Sequence, residues 1–151
     1  MKGLALGVIV AIAIACGGRR GPVDPPPPWA ERQHKLNEMD QRLAQIRQWR
    51  HERGIRAEVP SVDVNQWLGR TLPQAKNVCP DNHVVPKTCS EICTLSDDIC
   101  DNAEAICAIA DDLGKDDHEG QERCANAKAS CHDAKQRCCD CAAAALKDGT
   151  P

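Results

Sequence analysis

The stretch that decides the fold is residues 93–138, which read CTLSDDICDNAEAICAIADDLGKDDHEGQERCANAKASCHDAKQRC. Cysteines recur in it every seven residues, first at Cys93, Cys100 and Cys107 and again at Cys124, Cys131 and Cys138. Seven residues are two turns of an α-helix, so each set of three cysteines lies along one stripe of a helix. The spacing therefore predicts two helices, each with a line of sulfur atoms on one face.

The two stripes are in register for an antiparallel hairpin that turns around Gly114 and Gly120. When the chain is folded back there, the two residue numbers of each facing cysteine pair add up to the same total in all three pairs. A constant total is what an antiparallel hairpin in register requires. The predicted disulfides are Cys93–Cys138, Cys100–Cys131 and Cys107–Cys124. Alanine and serine recur beside the cysteines, and such small residues allow the close helix approach that disulfides require.

Cap signals flank both helices of the hairpin. Thr88 with Glu91 and Asp116 with Glu119 have the spacing of capping boxes, and Gly114 is a stop signal. These signals predict a Cys-rich helical hairpin over residues 88–146, followed by a tail at 147–151.

Four cysteines lie outside the seven-residue repeats, and their pairing is less constrained. Cys89 and Cys141 extend the two stripes and are one residue from register, which favours Cys89–Cys141. Cys139 is turned about 100° from its neighbour on the helix, which leaves Cys79–Cys139 by elimination. The exchanged pairing, Cys89 with Cys139 and Cys79 with Cys141, remains open.

The N-terminus has the features of an export signal. A charged start at Lys2 precedes a short apolar run, and residues 1–15 are predicted to be a signal peptide. The segment Ala13-Ile14-Ala15-Cys16 resembles the lipobox of bacterial lipoproteins, although that family usually has Leu where this chain has Ala13. The resemblance implies that Cys16 is lipidated and anchors the chain to a membrane, with Gly17 typical of an outer-membrane address.

The cysteine count agrees with export, and the net charge bears on possible partners. The chain has 11 cysteines, so setting Cys16 aside leaves an even number for five disulfides, as an oxidising compartment permits. The chain has no Phe and no Tyr, so cross-links are expected to compensate for a core poor in aromatic residues. The formal net charge of −3 gives no reason to expect nucleic acid as a partner.

Between the anchor and the hairpin, the sequence predicts a tether, a helix and a connector. Residues 16–28 form a Pro-rich spacer, and residues 29–54 an amphipathic helix that is net basic. The apolar stripe of that helix is predicted either to dock on the chain's own hairpin, which we favour, or to bind an envelope protein or a second copy. The stripe consists of Leu36, Met39, Leu43, Ile46 and Trp49.

The connector, residues 55–87, is rich in proline and contains one predicted short helix at residues 64–68. Asp63 and Gln66 have capping-box spacing for this helix, and Gly69 would end it. Its apolar residues Val64, Trp67 and Leu68 are expected to dock over the hairpin.

The predicted fold class is therefore all-α: a disulfide-laddered antiparallel hairpin with an additional N-terminal amphipathic helix. Residues 89–141 resemble Cys-rich lipoproteins of myxobacterial type, a resemblance that brings no catalytic residues with it. The sequence favours a non-catalytic lipoprotein of the bacterial cell envelope that acts as a structural or interaction module, without metal or cofactor. Two alternatives are a thiolate protein that binds Cu(I) or Zn(II), and a thiol-disulfide oxidoreductase using Cys139-Asp140-Cys141.

Overall fold

The computed structural model describes residues 25–80 and 84–147, and every regular element in these ranges is helical. There are five α-helices: α1 (Pro28–Glu52), α2 (Ser61–Gln66), α3 (Leu72–Lys76), α4 (Ser90–Leu113) and α5 (His118–Lys147). A 3-10 turn, Lys87–Cys89, leads into α4. The all-α prediction and the predicted disulfide-laddered hairpin are confirmed. The predicted signal peptide, Cys16, most of the tether and most of the tail lie outside the described residues.

Helices α4 and α5 form the antiparallel hairpin, and Gly114 ends α4 as predicted. Its φ of +99° and ψ of 159° lie in a region of backbone conformation that is open essentially to glycine alone. Gly120, by contrast, is not part of the turn but lies in the first turn of α5. A Cβ atom there would be only 3.1 Å from Cδ1 of Leu113, so the missing side chain lets the helix ends meet.

Both predicted capping boxes of the hairpin are wrong. Asp117, rather than Asp116, accepts the first-turn N–H of Gly120 at 2.9 Å on Oδ1. Thr88 lies inside the 3-10 turn, and Cys89 takes the position before α4 without a side-chain cap. Helix α5 begins at His118, so Asp117 and not Asp116 is the residue directly before the helix, where a side chain can cap it.

Helix α1 packs along the groove between α4 and α5, starting with Pro28 as its first residue. It runs antiparallel to α4, because Arg53 pairs with Glu91 and Lys35 with Asp112. It runs parallel to α5, because Asp40 pairs with Arg123 and Arg50 with Asp133. The fold is thus a three-helix arrangement cross-linked on one side by disulfides.

The connector wraps around the outer side of α5 with two short helices rather than one. Helix α2 begins at Ser61, three residues before the predicted start, so Asp63 lies within it and does not cap it. Val64 and Trp67 are buried as expected, but Leu68 is exposed. Helix α3 is the second short helix of the connector, for which the sequence predicts only one. It buries Ala75, and the Thr71 N–H donates to Oε1 of Gln74 at its start.

Candidate functional site

The central feature of the molecule is a ladder of three disulfides between α4 and α5. The Cα–Cα distances are 4.7 Å for Cys93–Cys138, 4.6 Å for Cys100–Cys131 and 4.7 Å for Cys107–Cys124. These are the pairs expected from the register. The backbones come this close because the neighbouring residues on the stripes are small and fully enclosed; they are Ser96, Ala103, Ala110, Ala127 and Ala134.

Two further disulfides close the open end of the hairpin. Cys89–Cys141 joins the 3-10 turn to α5, and Cys79–Cys139 joins the connector to α5, with Cα–Cα distances of 5.9 and 5.4 Å. The structure therefore contains the favoured pairing and not the exchanged one. The two cysteines of Cys139-Asp140-Cys141 each have a distant partner and are not joined to each other.

Disulfide bonding determines what the sulfur atoms can do chemically. All ten cysteines from Cys79 to Cys141 are paired, so in this oxidised form none of them offers the thiolate that binds soft metals or attacks a disulfide. The described residues contain no group of three or more His, Cys, Asp or Glu side chains placed to hold a metal ion. In this state the ladder acts as a set of cross-links.

The apolar stripe of α1 is used inside the molecule. Leu36, Met39 and Ile46 are at most 1% exposed and Leu43 is 5% exposed, all in the core with α4 and α5, whereas Trp49 is half-buried. Of the alternatives for this helix, the structure shows docking on the chain's own hairpin. A partner could reach the four buried side chains only if α1 left the hairpin.

Ion pairs surround this docked interface. The guanidinium of Arg32 holds Asp117 with an Nε–Oδ2 distance of 2.6 Å, and this hydrogen bond lowers the pKa of the carboxyl group, with a further contribution from the Gly120 N–H. The hydrogen bond to Asp112 raises the pKa of Lys35 to about 12. Each exposed pair contributes little energy, so together they determine the orientation of α1 more than its affinity.

A charged cleft that was not predicted from the sequence lies between the end of α1, the connector, α2 and α5. Its volume is about 470 Å³. Basic side chains line it from three segments of the chain: Arg50, Arg56, Arg70, His132 and Arg137. The acidic side chains in its wall are Glu58, Asp63 and Asp133.

Arg50 is the unusual member of this cleft because it is a charged residue in a buried position. It continues the apolar stripe of α1 and is only 3% exposed. Burial lowers its pKa, and the nearby charge of Asp133 opposes that effect. The one signal in the sequence was an arginine at the next core position of the stripe. Periodicity alone could not have identified Asp133 as its partner, since the two are far apart in the chain.

No protein-family model, no curated protein and no solved structure matches this chain. Within the described ranges, none of the helices combines the length and the apolar character needed to cross a membrane.

Proposed function

We propose that the protein is a non-catalytic lipoprotein of the bacterial cell envelope that acts as a disulfide-stabilised structural or protein-interaction module. Anchoring would be through a lipid on Cys16 at the outer membrane, after removal of residues 1–15. The folded part would then be held at the membrane surface in an oxidising compartment by the Pro-rich segment.

The observation that carries this proposal is the complete pairing of the cysteines. Of the 11 cysteines, ten form five disulfides, and the one left over is Cys16, at the end of the lipobox-like segment. Disulfides persist in exported proteins and are rare where thiols are kept reduced. With the other ten cysteines paired, Cys16 is left over at the position where the lipobox-like segment would place a lipid, and this supports an anchored protein.

The position of α1 indicates the end of the folded part from which the tether would leave. Its first turn lies at the turn of the hairpin, where Arg32 contacts Asp117, so the tether would leave from that end. The open end, cross-linked by Cys79–Cys139 and Cys89–Cys141, would lie opposite the point where the tether is attached. An interaction partner would then meet the open end or the exposed acidic side of α4, which includes Asp98 and Asp101.

Exchange of the anchoring cysteine tests this proposal. The full-length protein with Cys16→Ser, expressed in a bacterium that processes lipoproteins, should move from the detergent phase to the aqueous phase or remain unprocessed. The variant Gly18→Ser, which keeps Cys16, is the matched control and should partition as the parent does. Unchanged partitioning of Cys16→Ser after removal of residues 1–15 would show that the protein has no lipid anchor there.

A second measurement separates anchoring from the role of the module. The oxidised protein should resist a protease under conditions where the reduced and alkylated protein is degraded, since five cross-links limit local opening. Equal degradation of the two forms would contradict a disulfide-stabilised module, whatever the result for Cys16.

A further inference from the structure

The cleft beside α5 contains more guanidinium groups than carboxylates to neutralise them. Four arginines line it, and the three acidic groups in its wall are Glu58, Asp63 and Asp133. The whole chain, by contrast, has a formal net charge of −3. A local excess of positive charge on an acidic protein is a feature to be explained, because like charges brought together repel one another.

Arg50 contributes a buried guanidinium whose contact with Asp133 is imperfectly aligned. Its Nε donates to the backbone oxygen of Arg56 at 2.9 Å. Its Nη1 lies 2.9 Å from Oδ2 of Asp133, but it has no aligned hydrogen-bond acceptor among the described residues. Oδ2 of Asp133 is also shared with Nε of Arg137, at 3.1 Å. One carboxylate oxygen therefore serves two guanidinium groups.

Two other arginines of the cleft have no carboxylate partner in the described part of the chain. The guanidinium of Arg56 takes part in no ion pair there, and that of Arg70 lies over the Trp67 ring at 5.2 Å. The Trp67 ring in turn contacts His132, with ring centroids 4.9 Å apart. The Trp67 and His132 rings thus form one side of the cleft, and the Arg70 guanidinium packs on the Trp67 ring.

We propose that this cleft binds a phosphate-type oxyanion, with Arg50, Arg56 and Arg70 as its donors. Guanidinium groups bind phosphate through paired, charge-assisted hydrogen bonds, and one phosphate can accept from several donors at once. The cleft has room for a phosphate with an attached group, so the ligand is either the free ion or a phosphate carried on a larger molecule such as a lipid headgroup. This inference does not depend on the lipid anchor.

Titration of the oxidised full-length protein with inorganic phosphate at constant ionic strength tests the proposal. NMR signals of the Trp67 indole N–H and the His132 ring should shift and saturate. The double variant Arg56→Gln/Arg70→Gln removes two donors that hold no structural ion pair, and it should weaken binding by about tenfold or more. Arg47→Gln/Lys87→Gln removes the same charge outside the cleft and should bind as the parent does.

Two further arms identify the source of the phosphate. In the full-length Cys16→Ser background, vesicles containing phosphatidic acid are compared with phosphatidylcholine vesicles, with and without the double substitution. Binding to phosphatidic acid that the double variant loses assigns a headgroup, whereas saturation by inorganic phosphate alone assigns the free ion. No saturable response to either probe, or equal binding by the double variant and the parent, overturns the proposal.

Discussion

Replacement of Leu43 with Asp is expected to detach α1 from the hairpin. The Leu43 side chain is 5% exposed and packs in the core shared by α1, α4 and α5. Loss of its burial costs about 1.5 to 3 kcal/mol, and a carboxylate without a partner at the same place adds to this. The total, about 3 to 5 kcal/mol, is larger than the contribution of any single exposed ion pair around α1, which is roughly 0 to 1 kcal/mol.

Thermal unfolding followed by circular dichroism at the helical band measures this effect. The α1 contribution should be lost at a lower temperature in Leu43→Asp than in the parent, while α4 and α5 stay helical because their disulfides remain. Ala44→Asp is the matched control, since it introduces the same charge one residue away on the exposed side of α1. Its effect should be limited to the lower helix propensity of Asp, below about 1 kcal/mol.

Equal unfolding curves for Leu43→Asp and Ala44→Asp would refute the docking of α1. If Leu43→Asp kept the stability of the monomer but abolished a dimer detected by light scattering, the stripe would be an interaction surface between chains. The predicted outcome is the reverse: lowered stability in a protein that is monomeric throughout.

Two further predictions concern the turn between α4 and α5. Arg32 and the cap bond hold Asp117 ionised and lower its pKa, so its stabilising contribution is complete above the ordinary carboxyl pKa near 4 and is lost as the pH falls through the lowered value. Urea unfolding from about pH 2 to 6 should show a flatter pH dependence in Asp117→Asn but not in Asp116→Asn, and equal curves would contradict the cap assignment. Gly114→Ala should lower the free energy of unfolding by about 1 to 3 kcal/mol because of the positive φ, with the neighbouring Lys115→Ala near zero. Parent-like stability of Gly114→Ala would mean that the turn has another conformation.

The hairpin could be predicted because the spacing of the cysteines along the chain determines which residues can face each other. The cysteines are seven residues apart on each helix and in register across the turn. Because a disulfide forms only between cysteines whose Cα atoms are close, few other arrangements of the two helices would allow all three pairs to form. The stripe of α1 could likewise be predicted from its period. Helix α4 is acidic and α1 is net basic, and the structure shows this complementarity in ion pairs such as Lys35 with Asp112.

The local details that sequence missed were decided by contacts distant in the chain. Helix α3, Leu72–Lys76, is too short to show a period, and it exists because Ala75 packs against the hairpin. The choice of Asp117 over Asp116 depends on where α5 begins, which the spacing of the acidic residues does not determine. The cleft could not be predicted because its arginines come from α1, the connector and α5, and only the folding of these segments brings them together.

Disulfide mapping of the exported protein tests the central claim most directly. The account predicts an intact mass lower than that of the reduced protein by ten hydrogen atoms, two for each of five disulfides, with no thiol alkylated before reduction. Proteolytic peptides should be linked as Cys107–Cys124, Cys100–Cys131 and Cys93–Cys138, with Cys89–Cys141 and Cys79–Cys139 at the open end. Eight or more free thiols, or a ladder linked out of register, would contradict the account.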